Sequence, residues 1–157
     1  MQKGSLTLIF LLLLIAALNA GFGCSKKTDC CAIVDTAVQI HYKTQAGNNL
    51  INSSEDYNES NIRIYYKNGT AFEYMHKENL DNPNFFGTTV KENGDFMLTV
   101  YPSYYYEGIQ STTLIALNLH TVDTLLCEFD LADNKEICKQ AWLNGIEMPN
   151  RYIEIAK

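Results

Sequence analysis

Alternation of apolar and polar residues, interrupted at short intervals by turn residues, constrains this chain more than any other feature. In the segment 34–43 the apolar residues fall on one face of an extended chain, and they are Val34, Val38, Ile40 and Tyr42. The residues of the other face are Asp35, Gln39, His41 and Lys43. A period of two is that of a half-buried β-strand, so the segment is predicted to be one.

Asn and Gly residues divide the later part of the chain in the manner of hairpin turns. The dipeptide Asn68-Gly69 lies between two alternating runs and is the strongest of these signals, because both residues tolerate positive φ. Residues 92–95 and 132–135 separate two further pairs of predicted strands. A more continuous apolar strand over 112–119 and a short last strand over 151–157 complete the pattern.

Seven or eight short strands of this kind predict an all-β domain over residues 32–157. The expected architecture is a single antiparallel β-sandwich, immunoglobulin-like or transthyretin-like, with a closed barrel as the alternative. No segment after residue 24 carries the long 3.6-period apolar stripe of a helical domain. A chain of 157 residues supplies enough material for one such core.

The first 23 residues have the composition of a signal peptide rather than of a folded domain. Lys3 supplies a positive charge, residues 6–18 are apolar, and small residues follow. The apolar run is shorter than the roughly 20 residues that span a bilayer. The sequence therefore predicts export, with cleavage either after Ala20 or before Cys24.

Cys24 ends a segment that resembles a bacterial lipobox. The match is partial, because Gly21 stands where Leu is commoner and Phe22 is bulky. Cleavage before Cys24 would free its thiol for a diacylglycerol, and two or three acyl chains make a lasting anchor. We expect Cys24 to be the lipidation site, residues 24–31 to form anchor and spacer, and the protein to lie on the periplasmic or surface face of the outer membrane. Cleavage after Ala20 would instead release a soluble secreted β-domain.

Four further cysteines, Cys30, Cys31, Cys127 and Cys138, permit three disulfide connectivities. Export allows disulfides to persist, and Cys127 and Cys138 flank one predicted hairpin. A turn centred near residues 132 and 133 would set these two directly opposite each other, within reach of a bond. We therefore predict a Cys127–Cys138 disulfide. Cross-links from Cys30 and Cys31 to this hairpin and two packed free thiols are the alternatives.

No catalytic, metal or cofactor signature occurs in the sequence. The histidines, His41, His76 and His120, lie on separate segments, and the cysteine spacings do not fit the paired pattern of a zinc site. The sequence accordingly predicts no catalytic residue, no metal ligand and no cofactor. The enzymatic alternative, a small periplasmic or surface hydrolase, would require residues such as Asp35, His41 and Glu73 to converge in one cleft.

Aromatic residues give the strongest indication of a binding site. The 10 tyrosines include the run Tyr104, Tyr105 and Tyr106, in a predicted loop after Pro102. Exposed aromatic rings stack on sugar rings or anchor a protein partner. The formal net charge of −6 disfavours nucleic acid as a partner. The predicted function is a non-catalytic binding or accessory module that contacts a protein or a glycan.

Five segments resemble small predicted lipoproteins of Bacteroidetes, especially those of flavobacteria. They are the leader ending at Cys24, 30–35 (CCAIVD), 57–66 (YNESNIRIYY), 138–145 (CKQAWLNG) and 151–157 (RYIEIAK). The resemblance spans nearly all of the chain after the leader, and its motifs are structural rather than catalytic. It implies a membrane-anchored location at the cell envelope; the family's function is unknown, so no activity is implied.

Metabolic labelling with a palmitate analogue tests the anchor. We expect the wild-type chain to be labelled and the Cys24→Ala chain to remain unlabelled, because the thiol that takes the diacylglycerol is absent. Equal labelling of the two chains would refute the assignment of Cys24.

Overall fold

The computed structural model describes residues 32–132 and 134–157, and their regular structure is almost entirely β. The predicted leader and anchor segment, with Cys24, Cys30 and Cys31, lies outside the described residues. Two single-turn 3-10 helices span Glu59–Asn61 and Pro149–Arg151. The strands are β1 (Ile33–Asp35), β2 (Val38–Lys43), β3 (Arg63–Asn68), β4 (Ala71–Tyr74), β5 (Phe86–Val90), β6 (Phe96–Val100), β7 (Gln110–Ala116), β8 (Val122–Ala132), β9 (Lys135–Leu143), β10 (Ile146–Glu147) and β11 (Tyr152–Ala156).

The strands form two sheets that pack face to face. The larger sheet has the order β1-β9-β8-β7-β3-β4, with β10 also paired to β9. The smaller sheet has the order β11-β2-β6-β5. This arrangement confirms the prediction of an all-β sandwich. The strands outnumber the prediction, because the segment 34–43 is divided between β1 and β2 and Ile146–Glu147 adds β10. The predicted short last strand over 151–157 is present as β11.

Two strand pairs run parallel, so the sheets are mixed rather than purely antiparallel as predicted. β1 pairs with β9, where Val34 lies opposite Glu136, and β11 pairs with β2, where Glu154 lies opposite His41. Parallel partners cannot be joined by a tight turn and need a long connection. Here each connection runs through most of the domain, so these pairs unite distant parts of the chain.

The Asn-Gly signals correctly predict two of the hairpin turns. Gly69 and Thr70 join β3 to β4, one residue later than predicted, and Gly69 has a φ of 59° at the first central position. Asn144 and Gly145 join β9 to β10 with φ values of 52° and 81°, which is the positive pair that a type I′ turn requires. Local turn chemistry therefore fixes the antiparallel neighbours.

The core lies between the sheets and is built from inward-facing side chains of both. Ile40 and Tyr42 of β2 and Tyr66 of β3 have no exposed surface. The Tyr66 hydroxyl donates to the backbone carbonyl of Tyr101 at 2.7 Å, so its polar atom is satisfied as it reaches across from one sheet to the other. Val34, predicted to face inward with them, is 64% exposed because β1 is an edge strand.

Two ion pairs also join the larger sheet to the chain around β11. Asp123 of β8 is buried and accepts a hydrogen bond from the Lys157 ammonium. Arg151 binds Asp35 of β1 through both terminal nitrogens, at 2.8 and 2.9 Å. The hydrogen bond from Arg151 lowers the pKa of the Asp35 carboxyl. Such charge-assisted and bidentate contacts hold the last strand in register with the rest of the sandwich.

The structure does not support the predicted Cys127–Cys138 disulfide. Both cysteines are buried free thiols on the neighbouring strands β8 and β9. The turn between these strands is centred one residue later than the bond requires, and β8 carries a bulge, so Cys127 lies opposite Ala141 and Cys138 opposite Phe129. The two cysteines are therefore diagonal neighbours rather than a directly opposed pair, and their thiols are not bonded. The alternative of two packed thiols describes this part of the core.

Alkylation of the denatured protein without reductant checks the state of these thiols. We expect peptides containing Cys127 and Cys138 to be fully modified, because neither thiol is bonded. A matched sample that is reduced before alkylation should give the same result. Recovery of Cys127 and Cys138 in one disulfide-linked peptide pair would contradict the structure.

Candidate functional site

A groove of about 840 Å³ lies on the outer face of the larger sheet, over β3, β7 and β8. Its floor consists of residues that point away from the core, with Tyr65 of β3 opposite Leu114 of β7. Phe72 of β4 extends the floor toward the edge of the sheet. The volume lies within the range of roughly 300–1,000 Å³ that is typical of small-ligand sites.

Strand alternation explains why the floor is aromatic. Tyr65 and Tyr66 are neighbours in β3, but Tyr66 is buried in the core while Tyr65 faces the outside. On β4, Phe72 and Tyr74 are 44% and 47% exposed. The ring centroids of Tyr65 and Tyr74 are 5.7 Å apart, so the two rings form a pair on this surface. The larger sheet therefore presents aromatic rings to solvent that its core does not use.

Two loops supply the rim of the groove. The loop between β7 and β8 contributes Leu119, which is 94% exposed, and His120. Asn118 fixes this loop by accepting hydrogen bonds from the backbone N–H groups of His120 and Thr121, both at 2.8 Å. The hydroxyls of Thr121 and Tyr57 lie 3.3 Å apart and link the rim to the loop before β3. Hydrogen bonds thus shape the end of the groove before any ligand binds.

Charged and amide groups surround the aromatic floor. Arg63 donates to the backbone carbonyls of Ser60 and Ile62 at 2.7 and 2.8 Å, which holds its guanidinium at the wall of the groove. Asp56 and Asn61 line the same wall and offer acceptors and donors. A surface of this composition suits a ligand that has an apolar face and several hydroxyl groups.

The tyrosine loop, by contrast, is largely folded onto the domain. Tyr104 is 37% exposed, and its ring packs edge-on to Tyr66 at 5.3 Å between centroids. The Tyr106 ring packs on Phe129 at 5.1 Å, and its hydroxyl donates to Glu136 at 2.5 Å. Burial raises the pKa of Tyr106 well above its ordinary value, and the hydrogen bond to the negatively charged Glu136 carboxylate raises it further. The phenol therefore stays protonated. These contacts give Tyr104 and Tyr106 structural roles.

The residues named for the hydrolase alternative are not brought together. Asp35 and Glu73 lie on β1 and β4, the opposite edges of the larger sheet, whereas His41 belongs to the smaller sheet. Five inter-strand steps of about 4.8 Å place the two edges on the order of 24 Å apart. Asp35 binds Arg151, and Glu73 accepts from Asn68, so each has its own partner.

His41 lies in a different polar cluster, on the outer face of the smaller sheet. Its Nδ1 atom is 3.8 Å from Oδ2 of Asp95 and 3.7 Å from Oε1 of Glu154. Within the described part of the chain, these three residues form a group whose ligand-type atoms all lie within 4.8 Å of one another. Hydrogen bonds from Lys43 and Tyr152 lower the pKa of Glu154 to about 2, so its carboxyl is ionised at neutral pH.

Sequence reasoning did not identify the groove or the His41 cluster. The groove had one available signal, the outward position of Tyr65 and Phe72 in an alternating hairpin. The cluster had none, because His41, Asp95 and Glu154 come from two strands and a turn that are far apart in sequence. Their meeting depends on the parallel pairing of β2 with β11, which the sequence pattern does not reveal.

Comparisons with protein-family models, with curated proteins and with solved structures found no match to this chain. Within residues 32–132 and 134–157, no helix is long and apolar enough to cross a membrane.

Conservative substitutions in the tyrosine loop test its structural role. Tyr106→Phe should lower the free energy of unfolding by about 1–3 kcal/mol, because Glu136 loses its donor in a partly buried site. Tyr104→Phe is the matched control and should change it by less than about 0.5 kcal/mol, since its hydroxyl lies at the surface, where it accepts from the exposed Lys77 ammonium. Urea unfolding of the purified proteins gives both values. Equal effects of the two substitutions would contradict the structural role of Tyr106.

Proposed function

We propose that this protein is an exported, lipid-anchored module of the cell envelope that binds a glycan in the groove of its larger sheet. The observation that carries the proposal is the solvent-facing aromatic floor formed by Tyr65 and Phe72, with Arg63 and Asp56 at its wall. This floor is a better platform for a ligand than the tyrosine loop, whose rings are engaged in packing.

The chemistry of a sugar matches both parts of the groove. A pyranose ring has a face of C–H groups that covers apolar surface and a perimeter of hydroxyls that needs hydrogen-bond partners. Tyr65 and Phe72 offer rings for the C–H face. Arg63, Asp56 and Asn61 offer partners of both polarities for the hydroxyls. The size of the groove suits a short oligosaccharide rather than a single ring.

The N-terminal segment supports a location at the membrane surface. The signal peptide and Cys24 favour acylation of the exported chain. Residues 25–32 reach at most about 28 Å when fully extended, so such an anchor would keep the domain within about one domain diameter of the bilayer. A glycan of the cell envelope would lie within reach of a module held at that distance.

A protein partner is the second candidate, and Leu119 favours it. Leu119 is 94% exposed at the rim of the groove, and exposed apolar surface of this kind is typical of a site that a protein partner covers. If cleavage occurred after Ala20, the same groove would belong to a secreted β-domain. The hydrolase alternative receives no comparable support, because Asp35, His41 and Glu73 lie on separate parts of the sandwich.

Screening of the purified protein on an array of envelope oligosaccharides, followed by calorimetry with the best binder, tests the glycan proposal. Phe72→Ala and Tyr65→Ala should each weaken binding about tenfold or more, because each removes a ring worth upwards of about 1.4 kcal/mol at a binding hot spot.

Two controls make this experiment decisive. Val90→Ala removes a 63% exposed apolar side chain from β5 of the other sheet and should leave binding unchanged. Tyr104→Ala tests the tyrosine loop directly and should also retain binding. Binding that survives Phe72→Ala and Tyr65→Ala but is lost in Tyr104→Ala would move the site to the loop. A protein captured through Leu119, with no glycan bound, would overturn the proposal in favour of the second candidate.

A further inference from the structure

Asn49 fixes the tautomer of His41. Nδ2 of Asn49 donates to the Gly94 carbonyl at 2.9 Å, which identifies the other amide atom, facing His41, as the oxygen. That oxygen accepts the backbone N–H of Phe96 at 2.9 Å and lies 2.9 Å from Nε2 of His41. Because an amide oxygen only accepts, Nε2 carries the hydrogen in this contact. In the neutral ring, Nδ1 is therefore left with a lone pair.

This lone pair faces two carboxylates. Nδ1 of His41 is buried and has no hydrogen-bond partner among the described residues. Its nearest charged atoms are Oε1 of Glu154 and Oδ2 of Asp95, at 3.7 and 3.8 Å. A buried acceptor without a donor is costly, and two carboxylate oxygens close to it make a positive species at this position favourable.

We propose that His41, Asp95 and Glu154 form a binding site for a divalent transition-metal ion such as Zn²⁺. One imidazole nitrogen and two carboxylate oxygens suit Zn²⁺ and its first-row neighbours, whereas Ca²⁺ and Mg²⁺ favour sites made of oxygen alone. Three protein ligands leave a fourth position for water or a substrate, as in open zinc sites.

The two distances from Nδ1 to the carboxylate oxygens agree with this assignment. Metal–ligand bonds of about 2.1 Å at tetrahedral angles place neighbouring ligand atoms about 3.4 Å apart. The distances of 3.7 and 3.8 Å from Nδ1 need to shorten by only a few tenths of an ångström. The Asp95 and Glu154 side chains are 32% and 46% exposed, so they have room to make that adjustment and an ion has a path to the site.

Outer partners orient each ligand, as they do in known metal sites. Lys43 Nζ donates to Oε2 of Glu154 at 2.6 Å, so the other carboxylate oxygen, Oε1, is the one near His41. Tyr152 donates to this Oε1 atom at 2.7 Å. Asn93 donates to Oδ2 of Asp95 at 2.8 Å. Two carboxylates and one ammonium give the cluster a net negative charge, which favours a dication.

Calorimetric titration of the chelator-treated protein with ZnCl₂ tests the site. We expect saturable binding that Asp95→Asn and Glu154→Gln each weaken at least about tenfold, because both keep the shape of the ligand and remove its charge. His76→Gln replaces an exposed histidine that lies outside both the groove and the cluster, and it should leave zinc binding unchanged. Circular dichroism verifies that each variant is folded; Asp95 lies in a turn and is partly exposed, so its substitution should not prevent folding.

Nitrogen NMR of the histidine side chains provides a readout that thiols elsewhere in the chain cannot mimic. Zn²⁺ should shift the Nδ1 resonance of His41 while its Nε2 retains the hydrogen donated to Asn49. A proton that stays on Nδ1 in the presence of Zn²⁺, or zinc binding that is equal in wild type, Asp95→Asn and Glu154→Gln, would overturn the proposal. The result is independent of glycan binding, because the groove lies on the other sheet.

Discussion

The pairing of β2 on both of its edges is the constraint on which the rest of the sandwich depends. β6 pairs with its first half, Val38–Ile40, and β11 pairs with residues 39–43, so β2 lies between two neighbours and four of its six side chains are buried. Ile40 and Tyr42 close the core on one face, while His41 is buried on the other. A shift of one residue in either pairing would exchange these faces. The packing of the core and the position of the His41 cluster therefore both depend on the register of β2 with β6 and with β11.

Neighbouring residues of the other sheet show how a fold assigns different tasks to identical side chains. Tyr65 and Tyr66 form a doublet in the sequence, yet Tyr66 reaches across the core to the Tyr101 carbonyl and Tyr65 lies in the groove. Tyr104 and Tyr106 belong to a run of three tyrosines, which resembles a binding motif more than Tyr65 does. Their rings nevertheless pack on the core residues Tyr66 and Phe129. Position relative to the sheet, rather than clustering in sequence, distinguishes an available ring from a packed one.

What the sequence predicts well is local, and what it misses is long-range. The turns at Gly69 and Asn144 follow from backbone preferences of a few residues, so the antiparallel hairpins could be predicted. The Cys127–Cys138 pairing depended on the turn being centred one residue earlier, a precision that turn signals do not have. The parallel pairing of β11 with β2, and with it the approach of Glu154 to His41, leaves no trace in local patterning because the partners lie at opposite ends of the domain.

That same parallel pair has a consequence for the order of events during synthesis. β2 precedes its partner β11 by more than a hundred residues, so the smaller sheet cannot be completed until the last strand of the domain has left the ribosome. Ile153 and Ile155, which pack against the core, arrive at the same late moment. Folding that waits for contacts of such high sequence separation is slow, and a nascent chain of this kind stays unfolded for longer.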